Sequence, residues 1–249
     1  MFQLPSKAQL TASCSMFLHR TPSLSRVESN FQPTFTIQNT TMAAAAVVQI
    51  PAGATFLETF KKSFVDVPID AEKGNAISTA EFLEAAESLT TMFDVLGSIA
   101  FSPVKKDMLG NVEKIRKRML AAPLESQNIQ DLVRNELKTK SHTATEGLLW
   151  LVRGLEFTCI ALSMNIGSTE ELADSFGRSY SATLMRHHSF LVKPIFSAAM
   201  RACPYRKDFY AKLGDDEQKV QEELRKYLAA LDKIVNILKG FLESKEAKW

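Results

Sequence analysis

From residue 55 onward, apolar residues recur along this chain at three- and four-residue steps, the spacing of helices that bury one face. Phe82, Ala86, Leu89, Phe93 and Leu96 form one such stripe. Ahead of it, Ser78-Thr79-Ala80-Glu81 has the form of a capping box, hydroxyl and carboxylate each satisfying an orphan N–H. Gly97 behind it suits a helix C-terminus. Ser102-Pro103 predicts the start of a second helix, with Ser as N-cap and Pro at the first helical position, running through Met119 before Pro123. Thr143-Ala144-Thr145-Glu146 is expected to cap a third, from Gly147 to Met164, which is apolar nearly all round and therefore central. A fourth follows Thr169 and is expected to reach His187-His188, and Pro194 then interrupts or kinks the run before Ile195–Ala202. Asp215 is the expected cap of a long last helix with Val220, Leu224, Leu228, Leu231, Val235, Leu238 and Phe241–Leu242 on one face. Period-two alternation is hard to find, so the expectation is a single all-α domain of about seven or eight helices.

Composition adds mostly exclusions. With 45% hydrophobic and 23% charged residues, 10 Gly, 9 Pro and 3 Cys in 249, the chain is neither disordered, collagenous nor disulfide-stapled. Cys14, Cys159 and Cys203 share no metal or disulfide spacing, which suits a reducing cytosol. No uninterrupted apolar run approaches the roughly 20 residues of a membrane span.

Charge is placed unevenly. Residues 1–41 hold Lys7, Arg20 and Arg26 against Glu28, which accounts for the whole net charge of +2 and leaves 27 basic and 27 acidic residues in 42–249. A balanced body argues against a polyanion partner such as nucleic acid. The 1–41 leader is Ser/Thr-rich, acid-poor and free of Gly. It reads as an upstream extension with Met42 as the working start, ahead of a transit peptide. A secretory signal fits less well, because no basic segment directly precedes an apolar core, and the Asn39-Thr40-Thr41 sequon means little without secretion.

Signatures of catalysis are missing: no P-loop, dinucleotide fingerprint, GxSxG elbow or HExxH motif, so no enzyme is expected. Adjacent helical residues such as His187 and His188 diverge and would not share a metal as an i, i+4 pair does. The helix from Ser102 to Met119 is more informative. At about 100° per residue, Asp107, Asn111 and Lys114 share an arc of about 60°, which Arg118 joins. Beside it lies an apolar arc of Val104, Met108, Val112, Ile115 and Met119. A merely solvated face would carry similar charges, but carboxylate, carboxamide and ammonium at one-turn intervals offer acceptors and donors in series, suited to a polyhydroxylated ligand. Trp150, in the apolar central helix, would supply a flat face for a sugar ring, although core filling is the usual role of an isolated Trp.

Three blocks carry a resemblance. Phe101-Ser102-Pro103-Val104-Lys105-Lys106-Asp107-Met108-Leu109-Gly110-Asn111-Val112-Glu113-Lys114 resembles the recognition helix of the glycolipid transfer protein family. Gly147-Leu148-Leu149-Trp150-Leu151-Val152-Arg153-Gly154-Leu155 resembles its central helix. His187-His188-Ser189-Phe190, followed by Pro204-Tyr205-Arg206-Lys207-Asp208-Phe209, resembles the third block, and the ending Lys245-Glu246-Ala247-Lys248-Trp249 is similar to fungal heterokaryon-incompatibility members. The likeness spans about residues 55 to 249; residues 1–41 have no counterpart in it.

The resemblance implies a two-layer all-α sandwich that carries one glycosphingolipid between membranes without a cofactor. Asp107, Asn111 and Lys114 would bond the sugar, Trp150 would stack on it, and Asp107 with His188 would grip the ceramide amide. His188 is preferred over His187 because it stands two residues before the aromatic Phe190, a membrane-contact position that is often Trp in the family. Phe93, Leu96, Phe101, Val104, Phe157, Ile195 and Phe196 would line the tunnel for the chains. Asn111 and Trp150 favour a neutral sugar over the phosphate of ceramide-1-phosphate, although Arg118 and Arg153 keep that alternative open. A glycolipid sensor tied to incompatibility is a further alternative. A cytoplasmic, transiently membrane-associated monomer is expected.

Overall fold

In a computed structural model, which describes residues 50–249, eight α-helices appear among the described residues. They are α1 (Thr79–Thr90), α2 (Met92–Ala121), α3 (Ile129–Lys138), α4 (Thr143–Ile166), α5 (Leu172–Ala182), α6 (Lys193–Arg201), α7 (Arg206–Ala211) and α8 (Glu217–Glu243). The expected leader, 1–41, and the boundary at Met42 lie outside the described residues. One antiparallel pair, β1 (Ile69–Asp70) with β2 (Ala76–Ile77), is too short to register as alternation in the sequence.

Helix α4 is the hub: it packs against α2, α3, α5 and α8. By length and composition it is apolar enough to cross a bilayer, which a count of uninterrupted apolar runs does not reveal, but most of it is buried by the other helices. Helix α8 buries the expected stripe from Val220 to Leu242, except Phe241, which is half-buried. Its N-cap is Asp216, one residue later than expected, whose carboxylate accepts the Lys219 N–H at 3.0 Å.

Several local signals act differently from their motif. At α1 the Ser78 hydroxyl bonds the Glu81 side chain instead of capping backbone, and the Thr79 N–H donates to the Gln127 carbonyl at 3.0 Å. A complete capping box stands instead at Thr55 and Glu58. The stripe from Phe82 to Leu96 is two helices, divided at Thr91. Gly97, at φ 127°, does break the run, but helix α2 resumes at once and Pro103 sits inside it, not at its start. The N–H that Pro103 lacks would have met the carbonyl of Ile99, a residue 88% exposed, where water can substitute.

Helix α4 is not capped by Thr143. The buried Glu136 carboxylate, at the end of α3, accepts the N–H groups of Ala144 (2.8 Å) and Thr145 (2.7 Å) and the Thr145 hydroxyl (2.7 Å). A negative group at a helix N-terminus satisfies orphan donors and the helix dipole together. Helix α5 ends at Ala182, short of the histidines; residues 183–189 form turns that carry His187 and His188 back toward α4.

Candidate functional site

The site begins where α2 and α4 touch. A side chain at Gly147 would come within 3.2 Å of Lys114 Cβ and 3.3 Å of the Asn111 carbonyl, and one at Gly154 within 3.3 Å of Met108 Cγ. Two glycines seven residues apart on one side of α4 thus let its backbone rest on the segment of α2 that carries the polar ladder. Trp150 follows on the same helix, one turn along from Gly147.

The ladder is hydrogen-bonded from end to end. Lys114 Nζ donates to Asn111 Oδ1 at 3.1 Å, and Asn111 Nδ2 donates to Asp107 Oδ2 at 3.3 Å. Asn111 is buried, and its amide is oriented by the two charged residues on either side. The outer members keep spare capacity: Asp107 retains acceptor sites, and Lys114 retains donors. Burial of its carboxyl raises the Asp107 pKa above the ordinary 3.8, with the Lys114 charge opposing the shift, even though the residue reaches the surface. Arg118 does not extend the ladder. Its guanidinium turns to Glu125 at 3.1 Å.

On the other side stand the aromatics. The Trp150 and His188 rings lie nearly parallel, centroids 6.0 Å apart, and the His187 ring meets Trp150 edge-on at 6.4 Å. The Arg153 guanidinium lies 4.9 Å from the Trp150 ring centroid, a cation–π contact within α4. Burial, helped by the charges of His187, Lys193 and Arg153, holds the His188 pKa down at about 4, so this imidazole is neutral at pH 7. His187 is lowered as well, by burial and then by Arg153 and Arg186. The two histidines therefore flank Trp150 together, where a helix would have splayed them apart.

From Trp150 an unbroken series of ring contacts leads inward. His188 meets Phe196 at 4.4 Å, Phe196 stacks on Tyr180 at 5.4 Å, and Tyr180 meets Phe157 at 6.4 Å. Phe176 then links Phe157 (5.6 Å) to Phe101 (5.9 Å), which stacks on Phe93 at 5.7 Å. The expected lining residues Phe93, Leu96, Phe101, Val104, Phe157 and Phe196 are buried. Ile195 is not: it is 48% exposed and faces outward with Phe190 (80%) and Leu191 (67%), because α6 turns Phe196 inward and its neighbour out. Tyr180 and Phe176 belong to the series without having been marked by their spacing.

Residues 77–215 match the family model for glycolipid transfer protein. The chain belongs to the glycolipid transfer protein family. It is 62% identical over 200 residues to a glycolipid transfer protein of Aureobasidium melanogenum, covering 80% of this chain and 98% of that one. It is also similar to the crystal structure of HET-C2, a fungal glycolipid transfer protein, at 93% identity and a TM-score of 0.78, over 78% of this chain and all of that one. Human pleckstrin homology domain-containing family A member 8 is 32% identical over 202 residues, which span 76% of this chain but 38% of that protein. The human ceramide-1-phosphate transfer protein, 19% identical with a TM-score of 0.65, shares the fold. The family model and the fungal relative are both those of lipid transfer proteins. Among the described residues, no three His, Cys, Asp or Glu side chains group as a metal site would require.

Proposed function

We propose that this family member carries glycosphingolipids with simple neutral headgroups, such as galactosyl-, glucosyl- or lactosylceramide, between membranes. The observation that carries the reading is a hydrogen-bonded polar ladder on α2, packed against the helix α4 whose Trp150–His188 stack heads a buried aromatic series. Asp107, Asn111 and Lys114 bond sugar hydroxyls, and Trp150 stacks on the ring. Asp107 accepts the ceramide N–H while neutral His188 donates to its carbonyl. The chains then run along the aromatic interior. Exposed to water, each CH₂ would cost about 0.8 kcal/mol, so a sheath that also satisfies the headgroup lowers the barrier to crossing between bilayers.

Phe190, with Leu191 and Ile195, makes the membrane contact. Since residues 42–249 carry balanced charge, that contact depends little on anionic lipid. The resident compartment is the cytoplasm, the working unit is a monomer, and residues 1–41 are dispensable for transfer.

The test is transfer of labelled galactosylceramide between vesicles. Wild type moves it, and Asp107→Asn, which keeps the shape and removes the charge, drops transfer at least tenfold. Undiminished transfer in that variant refutes the site. Equal transport of ceramide-1-phosphate would move the assignment to an anionic headgroup held near Arg153. Tight binding at background transfer rates would make the chain a glycolipid sensor.

A further inference from the structure

We infer that Tyr180 is a positioning residue that fixes His188 in the tautomer carrying its proton on Nε2, and so decides that the imidazole offers a donor. The inference rests on the function proposed above for His188. Tyr180 is 1% exposed on α5, and its hydroxyl lies 3.2 Å from His188 Nδ1. Among the described residues the phenol has no other hydrogen-bond partner, so its proton has one acceptor available, the Nδ1 lone pair. The opposite sense, an Nδ1–H donating to the phenol oxygen, would leave the phenol's own O–H buried without a partner, a cost of a different order from a made bond. Both groups keep the protonation this requires: burial raises the tyrosine pKa, and His188 is uncharged near neutral pH. A neutral imidazole has one proton. With Nδ1 accepting, it resides on Nε2, which makes no hydrogen bond within the described protein.

Geometry supplies the reason such a device is needed. His188 sits in the turn of residues 183–189, where no helix backbone sets its side chain. Trp150 and Phe196 hold the plane of the ring by stacking and contact, but neither distinguishes one nitrogen from the other. Of the groups packed on the ring, Tyr180 from α5 is the one that bonds a nitrogen. The charges that face it, Lys193 from α6 and Arg153 from α4, act on the ring as a whole, as does neighbouring His187.

The experiment is ¹⁵N NMR of the imidazole in lipid-free full-length protein, wild type and Tyr180→Phe, alongside galactosylceramide binding from vesicles. Wild type should show the Nε2–H form, and Tyr180→Phe should show a mixture of tautomers. Because a bond to the neutral form is lost, His188 in the variant should also titrate at higher pH than in wild type. Binding should weaken at pH 7 in proportion to the Nε2–H fraction lost, about twofold for an equal mixture, with the melting cooperativity intact. An Nδ1–H tautomer in wild type, or an unchanged tautomer and titration in Tyr180→Phe, overturns the inference without needing any lipid. Failure of wild type to bind galactosylceramide, with the NMR result as expected, would instead count against the proposed function.

Discussion

Replacing Gly147 with Ala tests whether the close approach of α2 and α4 builds the site. In the interior of a helix, Ala is favoured over Gly by about 0.8–1 kcal/mol. At Gly110, also helical and with nothing within 4 Å of an added Cβ, that gain should appear nearly whole, about 0.5–1 kcal/mol. At Gly147 the same methyl meets Lys114 Cβ at 3.2 Å, Lys114 Cδ at 3.3 Å and the Asn111 carbonyl oxygen at 3.3 Å. The Cδ can swing aside, but a Cβ and a backbone carbonyl move only with their helix. Overpacking of this kind costs about 1–3 kcal/mol, which outweighs the propensity gain and leaves a net loss of about 0–2 kcal/mol. Thermal unfolding should therefore separate the two variants by several degrees, at about 2–4 °C per kcal/mol for a domain of this size. The strain falls on two ladder residues, Asn111 and Lys114, so galactosylceramide binding should weaken in Gly147→Ala and hold in Gly110→Ala. If Gly147→Ala melts as high as Gly110→Ala and binds as tightly, the interhelix contact does not position the site.

Three further outcomes follow. Glu136→Gln removes the charge from a carboxylate that caps α4 and should destabilise by about 1–3 kcal/mol in urea unfolding; a loss under half of that minimum would show the cap is replaceable. Because burial raises the Asp107 pKa, the folded state holds its proton longer than the unfolded chain, and stability falls as pH climbs from 3.8 through the folded pKa. Asp107→Asn should accordingly melt higher than wild type at pH 7 while losing binding, and the advantage should vanish below pH 3.8, where both states are protonated. Phe190→Ala should weaken vesicle association roughly tenfold, the scale of one buried aromatic ring, yet leave the melting temperature unchanged since the side chain is 80% exposed; unchanged association would move the membrane contact elsewhere.

What the sequence made legible was whatever depends on neighbours three and four residues away. The ladder of Asp107, Asn111 and Lys114 needs only helix geometry, and so does the buried stripe of α8; both stand in the structure. What it hid depends on partners distant along the chain or on a choice between two local ones. Glu136 caps α4 in place of Thr143 because α3 ends against that N-terminus, a meeting of helices that no local pattern announces. Ser78 and Glu81 satisfy the spacing of a capping box, but the Ser78 N–H that the carboxylate would take already donates to the Pro68 carbonyl at 3.1 Å, and the two side chains bond each other. Arg118 shares the ladder's arc and is drawn off by Glu125 in the following turn. The glycines at 147 and 154 were the one long-range signal open to reading: two missing side chains, seven apart on a large apolar helix, mark where another helix comes close.

The histidines show why the error that mattered most was one of backbone, not of chemistry. Extending α5 through His187-His188 would place them about 100° apart on a helix, with one of them turned away from any site. Ending α5 at Ala182 frees the turn to bring both against Trp150 and to seat His188 over Tyr180 and Phe196. The same turn then presents Phe190 to the outside, two residues beyond the imidazole. The ladder, by contrast, is set into the α2–α4 contact and cannot shift without moving a helix. The site is thus half fixed and half borne on a turn: the polar residues proposed to read the sugar belong to the rigid half. The imidazole proposed to hold the amide shares its short segment with the ring proposed to touch the membrane, so a force on Phe190 reaches His188 before it reaches any residue of the ladder.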